Sequence, residues 1–334
     1  ADRVGSMHLA DAHSLMVSRH DLDRAGVATR EITARVRANS LVRVDRGWYA
    51  ETDAWNSAYS EGRHLMRVVA AAARRRENPG LVFSHVSAAA LWGLPLFRIE
   101  PRRVHLSGAA ASGHVRASGP LVARHEVEVP AADVSVRDGI ACTSLARTVA
   151  DTLRATTWET GVALADAALR HVAWDERRLH YDIDAADALR ADVTGHLPRG
   201  GRGVRQAREV IAFADGRAAS TGESVSRLYL RDLGFAAPRL QVPIASPAGT
   251  NYYVDFALDD ADAWGEYDGE GKYLAADLRG ADTDIETALM NEKMREDWIR
   301  GRTQRAFARW SKAHVVSAIA LGLRLGAFGI RPPR

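Results

Sequence analysis

The sequence predicts an α/β multidomain chain with three parts, and three observations predict it. Its 334 residues exceed what one hydrophobic core normally organises. Residues 9–50 carry three short helical segments followed by a strand pair. Residues 218–325 carry a helix, three strands, a long helix, a strand and a closing helix. The expected division is 7–52, an α+β middle region at 53–215, and an α/β domain at 216–334, with 1–6 (ADRVGS) read as a cloning remnant before Met7.

Leu9 to Met16 forms the first helical segment. Ser18 caps the second, which Gly26 ends, and Thr29 caps the third, through Asn39. Leu41 to Tyr49 alternates like two strands about a turn at Asp45-Arg46-Gly47. The natural assembly is a winged helix-turn-helix. Arg30, Arg35 and Arg37 lie on the third helix, where a recognition helix meets bases and phosphates, and Arg43 and Arg46 lie on the wing.

The middle region begins with a helix over 54–76 and a buried helix over 83–95 with a Gly-Pro stop. His85 in it is read as structural. Arg102–Leu106, His114–Arg116 and Val122–Val129 alternate as strands of a small antiparallel sheet. His105, His114 and His125 on those strands are metal-ligand types, but their spacing does not demand a site. Thr143-Ser144 caps a helix through Leu153, in which Asp151 is a partner for Arg147 or Arg154. Residues 158–190 are mainly helical, and the Gly/Arg-rich 198–205 is a loop without the features of a phosphate-binding motif.

The C-terminal domain holds the chemistry. A helix from about Thr221 carries Glu223, with Gly234 as its stop. Strands follow at 239–244, 252–258 and 263–267. Pairing of the last two brings Asp255 near Glu266 and Asp268. Three ionised carboxylates repel one another unless a cation lies between them. Mg²⁺ or Mn²⁺ suits such oxygen donors, and Lys272 follows within reach of an anion. The alternative is a solvated strand edge.

Composition bounds the rest. Net charge is only +3, so the chain is not polybasic. Lys272, Lys293 and Lys312 are its only lysines, all in the C-terminal domain. Cys142 is the sole cysteine, which excludes an intrachain disulfide and suits a reducing cytoplasm. No stretch is long and apolar enough to suggest a membrane span.

Two resemblances stand on these residues. Leu41, Arg43, Arg46, Gly47 and Tyr49 make an ending similar to that of the N-terminal winged helix of AbiEi-type antitoxins, and the 83–95 segment resembles their middle region. Gly222-Glu223-Ser224, Asp255, Glu266-Tyr-Asp268-Gly269, Lys272-Tyr273 and Glu292-Lys293-Met-Arg295-Glu296 resemble the nuclease-like domain related to very-short-patch-repair endonucleases, within the PD-(D/E)xK restriction-endonuclease-like superfamily. That resemblance implies Glu223, Asp255 and Glu266 as metal ligands. Asp268 stands where the superfamily usually has lysine, so Lys272 compensates or Asp268 binds a second metal. Lys272 and Arg295, with Lys293 beside them, become candidates for stabilising the phosphorane charge or touching nucleic acid. The implied function is a metal-dependent DNA endonuclease or nickase. The alternative is a DNA-binding regulator of antitoxin type with an inactive nuclease-like domain. Double-stranded DNA is the expected partner, with a toxin and a second copy of the chain as further partner candidates.

Overall fold

The computed structural model describes residues 7–74, 80–109, 121–269 and 282–333, with the backbone alone at 282–286, 288 and 289. It is a mixed α/β chain that divides into two compact units. One comprises, of the described residues, 7–168 and 187–213; the other comprises 169–186 and 214–333. The segment 7–52 and most of 53–215 thus share one unit. Among the described residues no helix is long and apolar enough to cross a membrane.

The larger unit opens with α1 (Leu9–Ser14), β1 (Met16–Ser18), α2 (Arg19–Arg24), α3 (Thr29–Arg37), β2 (Leu41–Asp45) and β3 (Trp48–Glu51). The three strands form an antiparallel sheet in the order β1-β3-β2. Ser18 caps α2 by accepting the Asp21 N–H, as its sequence position suggests. Thr29 is the first helical residue of α3 rather than its cap, which is Ala28. β1 replaces the expected end of the first helix. Its three residues are too short to display a strand period in sequence, and pairing to β3 creates it. Gly47 at φ +76° makes the tight turn between β2 and β3, and its carbonyl accepts the Arg19 N–H at 2.7 Å.

α4 (Thr52–Ser57) and α5 (Ser60–Arg74) follow. α5 buries Leu65, Met66, Val68 and Val69 on one face. β4 (Val82–Phe83), α6 (His85–Leu91), β5 (Val104–Ser107), β6 (Val122–His125), β7 (Val134–Arg137) and β8 (Ile140–Thr143) come next. The five strands form one sheet in the order β6-β5-β4-β8-β7. The expected small antiparallel sheet is corrected here. β5 pairs parallel with β6 and β4 parallel with β8, so the sheet is mixed. Short alternating strands show which residues share a face, not which way the neighbour runs. His114 and Arg116 lie outside the described residues. α7 (Leu145–Leu153) starts at the Ser144 cap, and Asp151 pairs with Arg147 at 2.9 Å. α8 (Trp158–Ala173), β9 (Trp174–Asp175), β10 (His180–Tyr181), α9 (Ile183–His196) and α10 (Val204–Phe213) complete the middle of the chain.

The C-terminal unit is built from α11 (Thr221–Asp232), β11 (Arg239–Ala245), β12 (Asn251–Leu258), β13 (Ala263–Asp268), α12 (Asp282–Thr303), β14 (Ala306–Ser311) and α13 (Ala318–Gly326). Its sheet runs in the order β11-β12-β13-β14, antiparallel except for the parallel β13–β14 pair. Two glycines set close approaches. A Cβ on Gly222 would stand 2.0 Å from the Tyr267 ring, and one on Gly265 would stand 2.3 Å from the Trp310 ring. Trp310 therefore lies over β13, stacked on Phe256 with centroids 5.2 Å apart, and its indole donates to Ser226 at 2.8 Å.

Candidate active site in the C-terminal unit

β12 and β13 pair Phe256 with Gly265, so Asp255 and Glu266 are the next residues along the two strands. Asp255 Oδ2 accepts the Tyr267 N–H at 2.9 Å, which ties it to β13. Both acids line a cavity of about 450 Å³ together with Tyr252, Tyr253, Glu292 and Arg295. The two acids stand beside each other because the strands pair about the turn that joins them.

Each acid arrives with donors of its own. Glu266 is buried, at 5% exposure. Its Oε1 accepts from Arg295 and its Oε2 from Arg309 at 2.8 Å. Arg309 also reaches Glu292 at 2.6 Å and Glu296 at 3.3 Å. Burial alone would lower the Arg309 pKa, but the carboxylates of Glu266, Asp268 and Glu292 outweigh it and raise it. Arg295 further donates to the Tyr253 carbonyl.

Glu223 sits behind Asp255 on the first turn of α11. It is buried, and burial pushes its pKa up against the Ala219 N–H and Ser220 hydroxyl bonds it accepts. Gln241 on β11 bridges the two acids: its Nε2 is 3.2 Å from Glu223 Oε2 and 3.3 Å from Asp255 Oδ1. Gln241 adopts φ +49°, a left-handed conformation unusual for a non-glycine strand residue. In the sequence Gln241 stands within Leu240-Gln241-Val242-Pro243, the segment of the nuclease-like resemblance that leads into the strands, but its bridging role depends on a helix and two strands coming together. Arg309 was missed for the same reason, since it meets Glu266 only through the parallel β13–β14 register.

Asp268 ends β13 and Lys272 lies outside the described residues. Lys293 is exposed on α12. Among the described residues, the group of three or more potential ligand side chains whose ligand atoms all lie within 4.8 Å of one another is His85–His105–His125, not Glu223–Asp255–Glu266. Asp255 and Glu266 are nonetheless the hard oxygen donors that Mg²⁺ or Mn²⁺ takes. The residues present would offer two carboxylates, and a cation there would have to displace a guanidinium from Glu266. Asp259 and Asp262, in the turn between β12 and β13, bind Arg305 at 2.8 and 2.9 Å. Asp259 also pairs with Arg239, and the two arginines hold its carboxyl well below the usual range.

In the N-terminal segment Arg30, Arg37, Arg43 and Arg46 are exposed. Arg35 is half-buried and pairs with Glu51 at 2.7 Å.

No family model matches the chain. Two uncharacterized proteins of Mycobacterium tuberculosis, from strains CDC 1551/Oshkosh and ATCC 25618/H37Rv, are each 47% identical over 70 residues. The match covers 21% of this chain and only about a quarter, 26%, of each relative's length. A solved structure, the crystal structure of the RV2827C protein from Mycobacterium tuberculosis, aligns over 73% of this chain and 92% of its own at 15% identity and a TM-score of 0.33.

Proposed function

We propose that the chain is a metal-dependent DNA endonuclease or nickase whose cleavage site is the Asp255–Glu266 cavity. The observation that carries this reading is the placement of Asp255 and Glu266 on adjacent strands facing one cavity, with Glu223 linked to Asp255 through Gln241. The element order from α11 to α13 is the one the restriction-endonuclease-like resemblance implies. Asp255 and Glu266 would hold Mg²⁺ or Mn²⁺, which supplies a lowered water pKa and charge neutralisation at phosphorus. Arg295 and Arg309 each donate to one oxygen of Glu266 and orient it, and their guanidinium groups suit phosphate oxygens. Gln241, itself bonded to Glu223, and the Tyr267 N–H hold Asp255.

Placement on duplex DNA falls to residues 7–52 in this reading. The order α1-β1-α2-α3-β2-β3 with exposed Arg30, Arg37, Arg43 and Arg46 supports a winged helix that meets DNA. Arg35 contributes only when its pairing with Glu51 opens.

The test is incubation with supercoiled, linear duplex and single-stranded DNA in EDTA, Mg²⁺ and Mn²⁺, beside Glu266→Gln and Asp255→Asn. Cleavage that needs both metal and these acids is expected. A second reading is favoured by one observation: both oxygens of Glu266 are already taken by arginines. In that reading the chain is an antitoxin-type DNA-binding regulator without cleavage, for which a toxin or a second copy is the partner. Duplex binding without metal-dependent cleavage selects it.

A further inference from the structure

We propose that His85, His105 and His125 form a metal site for a nitrogen-seeking dication, Zn²⁺ foremost. It lies in the larger unit and shares no residue with the Asp255–Glu266 cavity. The parallel β5–β6 register pairs His105 with Ala123 and Ser107 with His125, so both histidines fall on one face of neighbouring strands. His105 Nδ1 lies 3.0 Å from His125 Nε2. His85, at the start of α6, stacks on His125 with ring centroids 3.7 Å apart and an interplanar angle of 16°. One ligand nitrogen from each ring lies within 4.8 Å of the others.

Tetrahedral zinc with bonds of about 2.0–2.1 Å needs ligand nitrogens about 3.3 Å apart. The His105–His125 pair is already near that separation, and His85 joins it by turning out of its stack on His125 so that its lone pair points at the same ion. Metal entry requires both facing nitrogens to present lone pairs. The hydrogen they share moves to the other nitrogen of its ring, so neutral imidazoles bind without net proton release.

Further observations separate this cluster from ordinary packing. His85 holds φ +51°, a left-handed conformation at the first residue of a helix. Such a conformation is strained for a residue other than glycine and concentrates at functional positions. Beneath the rings lies a buried polar floor. Ser107 donates to Ser84 at 2.7 Å, and Ser84 Oγ sits 3.0 Å from His85 Nδ1, which leaves His85 Nε2 for a metal. Ser87 accepts the His105 N–H at 2.8 Å and lies 2.9 Å from His64 Nε2. Ser84, Ser87, Ser107 and His64 are each 0% exposed. Outer partners of this kind fix ring orientation and tautomer around metal ligands. Neutral imidazole is the metal-binding form.

An all-nitrogen donor set selects Zn²⁺, Ni²⁺ or Cu²⁺ over Mg²⁺. Three neutral ligands leave the fourth position open for water or a small anion.

The experiment uses the full chain, stripped with a chelator and then exchanged into chelator-free buffer. Zn²⁺ is titrated calorimetrically, and Co²⁺ is titrated by absorption spectroscopy. One equivalent of Zn²⁺ and intense tetrahedral Co²⁺ bands are expected. Folded His105→Gln and His125→Gln should lose affinity by more than the 10- to 100-fold that removal of an outer partner costs. Glu266→Gln should bind zinc like the parent chain, which keeps this outcome independent of the nuclease reading. Undiminished binding in the histidine variants overturns the proposal. If the variants fail to fold, the parent chain decides: absence of tetrahedral Co²⁺ bands overturns it.

Discussion

Arg309→Met is the perturbation whose consequence the structure fixes most closely. Arg309 donates to Glu266 at 2.8 Å and to Glu292 at 2.6 Å, with side-chain exposures of 21% for Arg309 and 7% for Glu266. Removing one partner of a buried ion pair costs about 3–5 kcal/mol, because the other charge is left without compensation. Two features reduce that figure. Arg295 still donates to Glu266, and Arg309 is partly wet. The expected cost is about 2 kcal/mol. Met keeps most of the apolar stem, so little of it comes from lost packing. Glu266→Gln should cost less, since Arg309 retains Glu292 and Glu296. The double variant should then be less destabilised than the sum, with a coupling of about 1–2 kcal/mol. Hydrogen exchange read by mass spectrometry on peptides of β13 and β14 measures this locally, as a chain of two units need not unfold in one step. A coupling below about 0.5 kcal/mol would refute the argument that Glu266 depends on Arg309.

Gly222→Ala places a methyl 2.0 Å from the Tyr267 ring, so α11 or the ring must shift; destabilisation of about 1–3 kcal/mol is expected in a thermal or urea melt. His64 is 0% exposed, and its pKa is pushed by burial down to about 3. The unfolded chain binds this proton below about 6.5 while the folded chain does not, so stability is lost as pH falls from 6.5 toward 3, by up to about 1.4 kcal/mol per pH unit. His64→Gln should flatten that part of a urea-midpoint pH profile; an unchanged slope would remove His64 as its source. If residues 41–51 touch DNA backbone, Arg43→Ala and Arg46→Ala should each weaken duplex binding and reduce the salt slope by about 1, measured by fluorescence anisotropy across a salt series. An unaltered slope in both would detach these residues from the DNA.

The C-terminal elements were legible because their boundaries are chemical. Gly234 ends α11 at φ +93°, and Asp259 to Asp262 turn the chain between β12 and β13. Pairing the two strands about that turn then puts Asp255 beside Glu266. The groups that neutralise them were not legible. Arg309 is 43 residues from Glu266, and Gln241, whose backbone is left-handed, meets acids from two other elements. The histidine cluster shows the same limit from the other side. Sequence reasoning grouped His105 and His125 with His114 on strands and set His85 aside as structural. It is the parallel course of β5 and β6, with the start of α6 against them, that assembles His85, His105 and His125. Periodicity reports faces; it carries no information about the direction of a neighbouring strand or a stacking partner.

The parallel pairing of β13 with β14 also has a consequence in time. During synthesis β13 leaves the ribosome before the 22-residue α12, and β14 emerges only after it. Parallel crossovers close long loops before their contacts are rewarded, so they are slow steps in folding. Until β14 docks, β13 is an open edge whose Trp264 lacks its neighbour Phe307 and whose Glu266 lacks Arg309. An exposed apolar edge recruits other strands. The nascent C-terminal unit is therefore most prone to misassociation during the interval between those two strands, and chaperone dependence should be greatest there.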